Sequence, residues 1–136
     1  MTGTSLPLTD ALAAVARAHA KAAQLAVAVT VAVVDQGGLL VALGRMDGAP
    51  PISPQIAEAK AAGAAMFLRD GAWLAQVAQD RPGFFSAADR MSRVPLIPGL
   101  GSALLKRGEA VVGAIGVSGA RPEQDLECAE AGAASF

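Results

Sequence analysis

A chain of 136 residues predicts one domain, spanning residues 1–136, with enough interior for a single core. The net charge of −1, without a basic tract interleaved with aromatic residues, argues against nucleic-acid and membrane-surface partners. The first ten residues show no leader pattern, no apolar run could span a membrane, and the single cysteine fits a reducing cytoplasm. One histidine and one cysteine cannot supply a zinc site of the His/Cys type.

The first predicted element is an amphipathic helix over residues 9–26, with Thr9 at its N-cap. The spacing of its apolar residues directs one stripe of the helix toward the core. That stripe is expected to contain Leu12, Val15, Ala16, His19, Ala22, Ala23 and Ala26.

Two strands joined by a hairpin are predicted after this helix. Residues 27–34 are apolar on both faces, which is typical of a central strand that is covered on both sides. The sequence Asp-Gln-Gly-Gly at 35–38 favours a tight turn, and residues 39–46 form the expected return strand.

The middle of the chain is predicted to be mainly helical. A helix with Pro54 at its first position, which is a favoured place for proline, is expected over residues 53–68. Short helices are expected over 72–79 and 84–91, and a short strand over 94–97.

A second hairpin and a last helix complete the predicted architecture. Strands are expected over residues 102–106 and 110–117, and the helix over 122–134. Because hairpins rather than helical crossovers join the strands, the sheet is predicted to be mainly antiparallel. The expected fold class is therefore α+β, in α-β-α layers, with helices flanking a five-stranded sheet.

The last predicted strand has one face that carries almost no side-chain bulk. Val112, Ala114, Gly116 and Ser118 lie on that face, so another group is able to approach the backbone closely. The helix that begins at Pro122 would also offer unpaired N–H groups to an anion. We therefore expect a ligand to bind near the end of this strand.

Three segments carry a family resemblance when they are taken together. They are Val-Val-Asp-Gln-Gly-Gly at 33–38, Arg-Met-Asp-Gly-Ala-Pro at 45–50, and Gly-Ala-Ile-Gly-Val-Ser-Gly at 113–119 with Pro-Glu-Gln-Asp at 122–125. In this order they resemble the GlcG/HbpS family over nearly the whole chain. The resemblance implies a profilin-like fold with a five-stranded antiparallel sheet, and a homo-oligomer such as a dimer, tetramer or octamer.

The resemblance implies two alternative functions. Some members of the family bind haem or take part in haem or corrinoid handling, which implies a small-molecule-binding protein for haem or a related tetrapyrrole. No other cofactor is expected. Other members are lyases in catabolic pathways, which implies a cofactor-independent lyase or isomerase acting on an aromatic, for example hydroxylamino-aromatic, carboxylic acid. A shared fold does not choose between such functions.

The chain departs from the family pattern at two residues near the last strand. Leu100 stands in a segment where members often have Pro-Gly-Gly-Leu-Pro, and Arg121 stands where they often have a small polar residue. We expect Arg121 to pair with Glu123 or Asp125, or to face a ligand carboxylate. If the ligand binds there, Leu100 and Arg121 are expected to influence which ligand is chosen.

His19 is the only histidine, and the predicted stripe directs it inward or toward a subunit contact. A neutral imidazole at this place could ligate haem iron, and the alternative is a hydrogen-bonded histidine at an interface. The chain has no Cys-x-x-Cys-His sequence, so covalent attachment of haem is not expected.

Arg45 and Asp47 bracket the end of the second strand. Arg45 is able to hold a carboxylate or a propionate through two parallel hydrogen bonds. Asp47 is a second candidate for ligand binding, although Asp-Gly at 47–48 equally fits an ordinary turn.

Lys60 stands alone among small apolar residues of the middle helix. It is expected either to reach a ligand and act as a base, or to pair with an acid. Gln55 and Glu58 lie about one helical turn away and would share its cleft, with Glu58 as an acid or base. In the lyase alternative, Arg45 anchors the carboxylate while Glu58 or Lys60 moves a proton.

Backbone donors complete the predicted ligand-binding set. The glycine turns that contain Gly99, Gly101 and Gly116 could donate N–H groups to an anion, or could serve only the conformation of the turns. Ser118 is a candidate ligand contact rather than a nucleophile, because its motif contains no histidine. Arg121 is the last member of this set.

Overall fold

The structure is a computed structural model that describes residues 5–134 and 136. The first four residues, on which the prediction of no leader partly depends, lie outside the described residues. The helices and strands, in chain order, are α1 (Leu8–Gln24), β1 (Thr30–Asp35), β2 (Leu40–Arg45), α2 (Ser53–Phe67), α3 (Gly71–Asp80), α4 (Pro82–Met91), β3 (Ser102–Arg107), β4 (Ala110–Ser118) and α5 (Pro122–Ala133). The α+β class is confirmed. None of these helices is long and apolar enough to cross a membrane.

The described strands form one antiparallel sheet in the order β2-β1-β4-β3. Both predicted hairpins are present, because β1 pairs with β2 and β3 pairs with β4. The two hairpins meet where β1 pairs with β4, so the chain segments that are most apolar on both faces occupy the centre of the sheet. Strands β2 and β3 are left as the two edges.

The predicted fifth strand over 94–97 is wrong, because the described part of the chain contains four strands. Pro95 interrupts this segment and cannot donate to a ladder of hydrogen bonds. The N–H of Leu96 instead donates to the Asp89 carboxylate at 2.7 Å, and the Leu96 side chain is buried against α3 and α4. The segment is therefore held as a loop by side-chain contacts.

Helices cover both faces of the sheet. Helices α1 and α5 pack on the face that carries Val31, Val33, Ile115 and Val117, and this layer forms the larger core. Helix α2 packs on the opposite face, where its alanines contact the small side chains of the central strands, namely Val34 and Ala114. Small residues on both sides bring α2 so close to the sheet that a Cβ on Gly116 would overlap the Ala57 carbonyl oxygen.

The buried face of α1 differs from the predicted stripe. Residues Ala11, Ala14 and Ala18 are fully buried, whereas Leu12 is 51% exposed. The reason is the close approach of α5, in which a Cβ at Gly132 would lie only 3.0 Å from the Ala14 carbonyl oxygen. Only the alanine side of α1 fits against such a neighbour, so the bulkier leucine is turned outward.

The start of α1 also differs from the prediction. The helix begins at Leu8 after Pro7, and no side chain caps it. Thr9 consequently lies within the first turn instead of at the N-cap.

Candidate functional site

Lys60 is at the centre of a buried polar cluster at the end of the sheet. From α2 its ammonium group donates to the carbonyl oxygen of Val117 at 2.9 Å and to Asp125 Oδ2 at 3.3 Å. Only 9% of the Lys60 side chain and 4% of the Asp125 side chain are exposed. Of the two alternatives for Lys60, the structure thus shows the pairing with an acid.

The position of this ammonium group depends on how β3 begins. The N–H of Val117 donates to the Gly101 carbonyl oxygen at 2.8 Å, and there β3 turns away from β4. Gly101 has a φ of +121°, and a Cβ on it would lie 2.8 Å from Lys60 Nζ. Glycine therefore leaves room for the lysine, and Lys60 supplies the donor for a strand carbonyl at the end of the ladder.

Asp125 completes the cluster from the first turn of α5. Its Oδ1 accepts the N–H of Ala120 at 3.1 Å, while its other oxygen accepts from Lys60. Burial raises the pKa of Asp125, and the nearby Lys60 ammonium and the Ala120 amide offset that rise only in part. Because α2 and α5 lie on opposite faces of the sheet, the Lys60–Asp125 pair ties the two helical layers together.

The bare face around Gly116 is occupied by the protein itself. A Cβ on Gly116 would overlap the carbonyl oxygen of Ala57 and would lie 2.6 Å from the amide nitrogen of Ala61. The close approach that the sequence predicts is therefore made by the backbone of α2. Ser118 is buried nearby and pairs in register with Thr30, which shares a 2.7 Å hydrogen bond with a serine of α2.

Glu58 and Lys60 point in different directions although they are two residues apart. Glu58 lies 3.5 Å from the guanidinium group of Arg93, which also donates to the Gly38 carbonyl oxygen at 2.9 Å. This contact is at the hairpin turn between β1 and β2. The structure therefore does not assemble Glu58 and Lys60 into one acid–base site.

Arg45 closes the turn that follows β2. Its Nε and Nη2 both donate to the Ala49 carbonyl oxygen, at 3.1 and 2.7 Å. Asp47 and Gln55 are exposed, and the side chain of neither makes a hydrogen bond or an ion pair among the described residues. Arg45 and Asp47 therefore belong to the turn after β2, and Gln55 lies in the first turn of α2.

Arg121 lies at the surface, immediately before the first residue of α5. The Arg121 side chain is 73% exposed and pairs with Glu123 at 3.1 Å. Of the expected alternatives, the ion pair with Glu123 is the one present. Gly99 and Leu100 lie partly exposed in the loop before β3, and a Cβ on Gly99 would meet no atom within 4 Å.

His19 occupies the opposite edge of the sheet, beside β2. Its Nε2 is 2.9 Å from the carbonyl oxygen of Gly44, and the imidazole lies so close that a Cβ on Gly44 would be 2.7 Å from its Cε1 atom. When Nε2 carries the proton and donates to this carbonyl, Nδ1 keeps a free lone pair. A histidine whose second ring nitrogen binds a backbone carbonyl is the usual arrangement for a metal ligand.

The surface next to His19 is apolar. Leu8 and Leu12 are 55% and 51% exposed, and Ala16 on the following turn is also exposed. The cations of α1 point away from this surface, because Arg17 donates to the Gly132 carbonyl oxygen and Lys21 pairs with Glu127, both on α5. His19 is thus a polar group on the side of α1 that no other described helix covers.

This surface does not follow from the apolar stripe predicted for α1, because that stripe places Leu12 in the core. The signal that would have found it is the run of alanines at 11, 14, 18 and 22, which has helical spacing and fits a close helix neighbour. Elsewhere in the described residues, no three His, Cys, Asp or Glu side chains stand close enough to hold a metal ion. Burial raises the pKa of Cys128 to about 11, so its thiol stays protonated at neutral pH.

The chain is similar to known proteins over most of its length. A family model described as "Haem degrading protein HbpS-like" matches residues 6–134. An HbpS double mutant from Streptomyces reticuli is 30% identical, with a TM-score of 0.87 over 100% of this chain and 90% of that chain. A PduOC:Heme complex is 27% identical, with a TM-score of 0.86 over 97% of this chain and 95% of that chain. Klebsiella pneumoniae protein ORFY is 29% identical, with a TM-score of 0.82 over 95% and 88%. No functionally curated protein matches.

Proposed function

Since the chain belongs to the HbpS-like family, we propose that it binds haem or a related tetrapyrrole, with His19 as the axial ligand of the iron. The observation that carries the proposal is the environment of His19. Its Nε2 is held by the Gly44 carbonyl while the neighbouring surface of α1 is apolar and exposed. The solved PduOC:Heme complex, which has the same fold, supports the proposal.

The residues beside His19 fit a planar apolar group. Leu12 and Ala16 offer exposed apolar contact, and the imidazole is held against Gly44 so that Nδ1 is the nitrogen left for a metal. Bound haem would supply an iron centre for ligand binding or electron transfer. The chain's own part is to fix the imidazole and to cover one side of the ring.

No observation supports the alternative function, that of a lyase or isomerase. The residues assigned to proton transfer, Glu58 and Lys60, are held in separate ion pairs, and Arg45 is bonded to its own turn. We therefore propose no lyase or isomerase activity.

A titration with haemin tests the proposal. The protein is expected to shift the Soret band with saturation near one haem per chain, and His19→Ala is expected to abolish the shift or weaken binding at least tenfold. Lys21→Ala is the matched control, because Lys21 is on the same helix and pairs only with Glu127 at the surface. An unchanged Soret band in His19→Ala would exclude His19 as the ligand.

We also propose that the protein is cytoplasmic, because its single cysteine fits a reducing compartment, and that it is a homo-oligomer. The support is the edge strand β2, on which Leu40 and Leu43 are 45% and 38% exposed, beside Leu39 at 53%. Sedimentation equilibrium checks this proposal, and a single species of the monomer mass at micromolar concentration would contradict it.

A further inference from the structure

A cavity of about 590 Å³ opens between the start of α1 and the turn that joins β1 to β2. Residues 5–7 line it on the helix side, and residues 35–37, with Leu39 and Val41, line it on the strand side. We call it the hairpin cavity. None of the proposed haem contacts belongs to its lining, and its volume is sufficient for part of a small-molecule ligand.

We propose that the hairpin cavity binds an isoprenoid tail of the tetrapyrrole whose iron is bound at His19. This inference rests on the proposed function and narrows the class of ligand. The expected ligand is a haem that carries a long apolar chain at one side of its ring.

A stripe of α1 connects the hairpin cavity with the imidazole. Four residues with helical spacing share one side of the helix, namely Leu8, Leu12, Val15 and His19. That side faces β2, because a Cβ on Gly44 would lie 3.1 Å from Val15 Cγ1 and 2.7 Å from His19 Cε1. The stripe begins directly after the residues that line the cavity on the helix side, so it leads from the cavity to His19.

This stripe is apolar and open to solvent between its two ends. Leu8 and Leu12 are 55% and 51% exposed, and β2 beside them is the edge strand of the described sheet. Asp10 lies on the other side of the helix, where it pairs with Arg107 at 2.8 Å. An apolar chain that lay along the stripe would therefore remove both leucines from water without displacing a charged group.

The length of the stripe separates a tail from a ring. Pro7, in the lining of the cavity, is twelve residues from His19, which corresponds to about 18 Å along an α-helix. This distance exceeds the reach of a tetrapyrrole ring whose iron is bound at His19. A flexible substituent of the ring is able to follow the stripe and enter the cavity.

The lining of the hairpin cavity favours an uncharged, apolar occupant. Aliphatic surface comes from four of its residues, namely Leu6, Pro7, Leu39 and Val41. The one charged residue of the lining is Asp35, whose Oδ1 accepts the N–H groups of Gly37 and Leu39 at 2.9 and 3.1 Å. Its carboxylate keeps its negative charge, so it repels a haem propionate or a fatty-acid head group.

The nearby ion pair does not reverse this preference. Arg107 donates to the carbonyl oxygen of Ser5, which is part of the lining, and it is paired with Asp10. The pair adds one charge of each sign, so the net charge around the cavity remains that of Asp35. An isoprenoid chain satisfies these walls because it is apolar and carries no charge.

Haem o and haem b test the proposal, because haem o carries a hydroxyethylfarnesyl group where haem b has a vinyl group. Soret titrations of the two haems are run side by side. We expect haem o to bind at least tenfold more tightly, since the removal of about two methylene groups from water already accounts for a factor of ten. An excess of free farnesol is expected to bring the affinity for haem o down to that for haem b, and to leave haem b unaffected.

Leu39→Glu is the variant that tests the cavity. Leu39 is 53% exposed, so a charge at this position is compatible with folding. The variant is expected to bind haem o about tenfold more weakly and haem b unchanged. Leu68→Glu is the matched control, because Leu68 is a leucine of similar exposure, 58%, outside the lining of the cavity. It is expected to change neither affinity.

Failure of this inference is distinguishable from failure of the proposed function. Equal affinities for the two haems, with both Soret shifts lost in His19→Ala, would overturn the tail site and leave haem binding at His19 in place. No Soret shift with either haem would overturn both. A preference for haem o that persists in Leu39→Glu would overturn the assignment to the hairpin cavity.

Two further measurements address other occupants of the cavity. Farnesol that shifts the NMR signal of the Leu39 amide without weakening haem o would overturn the proposal in favour of a free isoprenoid lipid. A smaller assembly of Leu39→Glu in the absence of haem, measured by sedimentation, would overturn it in favour of a second copy of the chain.

Discussion

The Lys60–Asp125 cluster beside β4 and the surface around His19 beside β2, called here the His19 edge, differ in how they bond their polar groups. In the cluster, the ammonium and both carboxylate oxygens are bonded to partners within the fold and hidden from solvent. At the edge, one nitrogen of the imidazole is bonded to Gly44 and apolar surface beside it is exposed.

This difference separates residues that build the fold from residues that are available to a ligand. In the sequence, the glycine-rich motif around Gly116 and the isolated Lys60 resemble parts of a ligand or catalytic site. In the structure, Gly116 allows α2 to pack closely on the sheet, and Lys60 joins the two helical layers through Asp125. His19, on the alanine-rich helix α1, keeps one ring nitrogen, Nδ1, without a hydrogen bond to any described residue.

The largest effect is expected from Lys60→Met. It leaves the Asp125 carboxylate buried without its cation and removes the donor to Val117, which is expected to cost about 3 kcal/mol of unfolding free energy at neutral pH. Urea denaturation measures this loss. A change below 0.5 kcal/mol, on the order of an ordinary surface substitution, would show that the pair does not join the layers.

The pH dependence of that variant follows from Asp125. Burial raises its pKa above the ordinary 3.8, so the folded protein binds the proton more strongly than the unfolded chain. The stabilisation from protonation is full below pH 3.8 and is lost as the pH rises through the folded pKa. Without the Lys60 ammonium the pKa rises further, so the deficit of Lys60→Met should grow from pH 4 to pH 7. A deficit that shrinks over this range would contradict the assignment.

Asp125→Asn serves as the control for the Lys60 variant. Its amide oxygen is still able to accept from Ala120 or Lys60, and combining it with Lys60→Met should recover part of the lost stability, because no unpaired charge is then buried. Strictly additive losses in the double-mutant cycle would mean that the two side chains are not coupled.

Gly116→Ala is the next largest change. The added Cβ overlaps the Ala57 carbonyl, which belongs to helix backbone that cannot yield easily, so about 2 kcal/mol should be lost. Thermal unfolding at fixed protein concentration checks this value. An equally stable variant would show that α2 does not need this close approach. Gly83→Ala is the matched control, because a Cβ there meets no atom within 4 Å.

Gly44→Ala tests the effect of an added Cβ beside His19. The new Cβ would lie 2.7 Å from Cε1 of His19, a side chain that is able to move, so a smaller loss of about 1 kcal/mol is expected. The displaced imidazole should also bind haemin more weakly. Unchanged affinity would indicate that the position of the ring beside Gly44 does not matter to the ligand.

The smallest effects are expected for surface candidates. Glu58→Gln and Arg121→Ala each break one exposed or half-exposed ion pair, and each should change stability by about 0.5 kcal/mol or less, with the Soret titration unaltered. A tenfold loss of haemin affinity in either variant would show that the substituted residue belongs to the ligand site.

Local patterns were sufficient to predict the two hairpins, the central strand and the alanine-rich helix α2, because each depends on neighbouring residues and on tight turns. The orientation of α1 was not predictable in that way, since it depends on Gly132, which lies more than a hundred residues away in the chain. Segment 94–97 looks apolar enough for a strand, but Pro95 has no N–H and the N–H of Leu96 donates to Asp89.

Less of the candidate site than of the fold could be predicted from the sequence. Pairing of Lys60 with an acid was foreseen as an alternative, but the partner, Asp125, could be identified only once β4 and α5 were in place. The position of β3 at an edge could not be predicted either, because it depends on strand order. His19 was identified as a candidate because it is the only histidine.

The central claim is that the ligand contacts the His19 edge and not the Lys60–Asp125 cluster. Haemin titrations of His19→Ala and Asp125→Asn, run side by side with circular dichroism to show that both are folded, test it most directly. We predict that the Soret shift is lost in His19→Ala and retained in Asp125→Asn. Loss of the shift in a folded Asp125→Asn, with His19→Ala unaffected, would contradict the account.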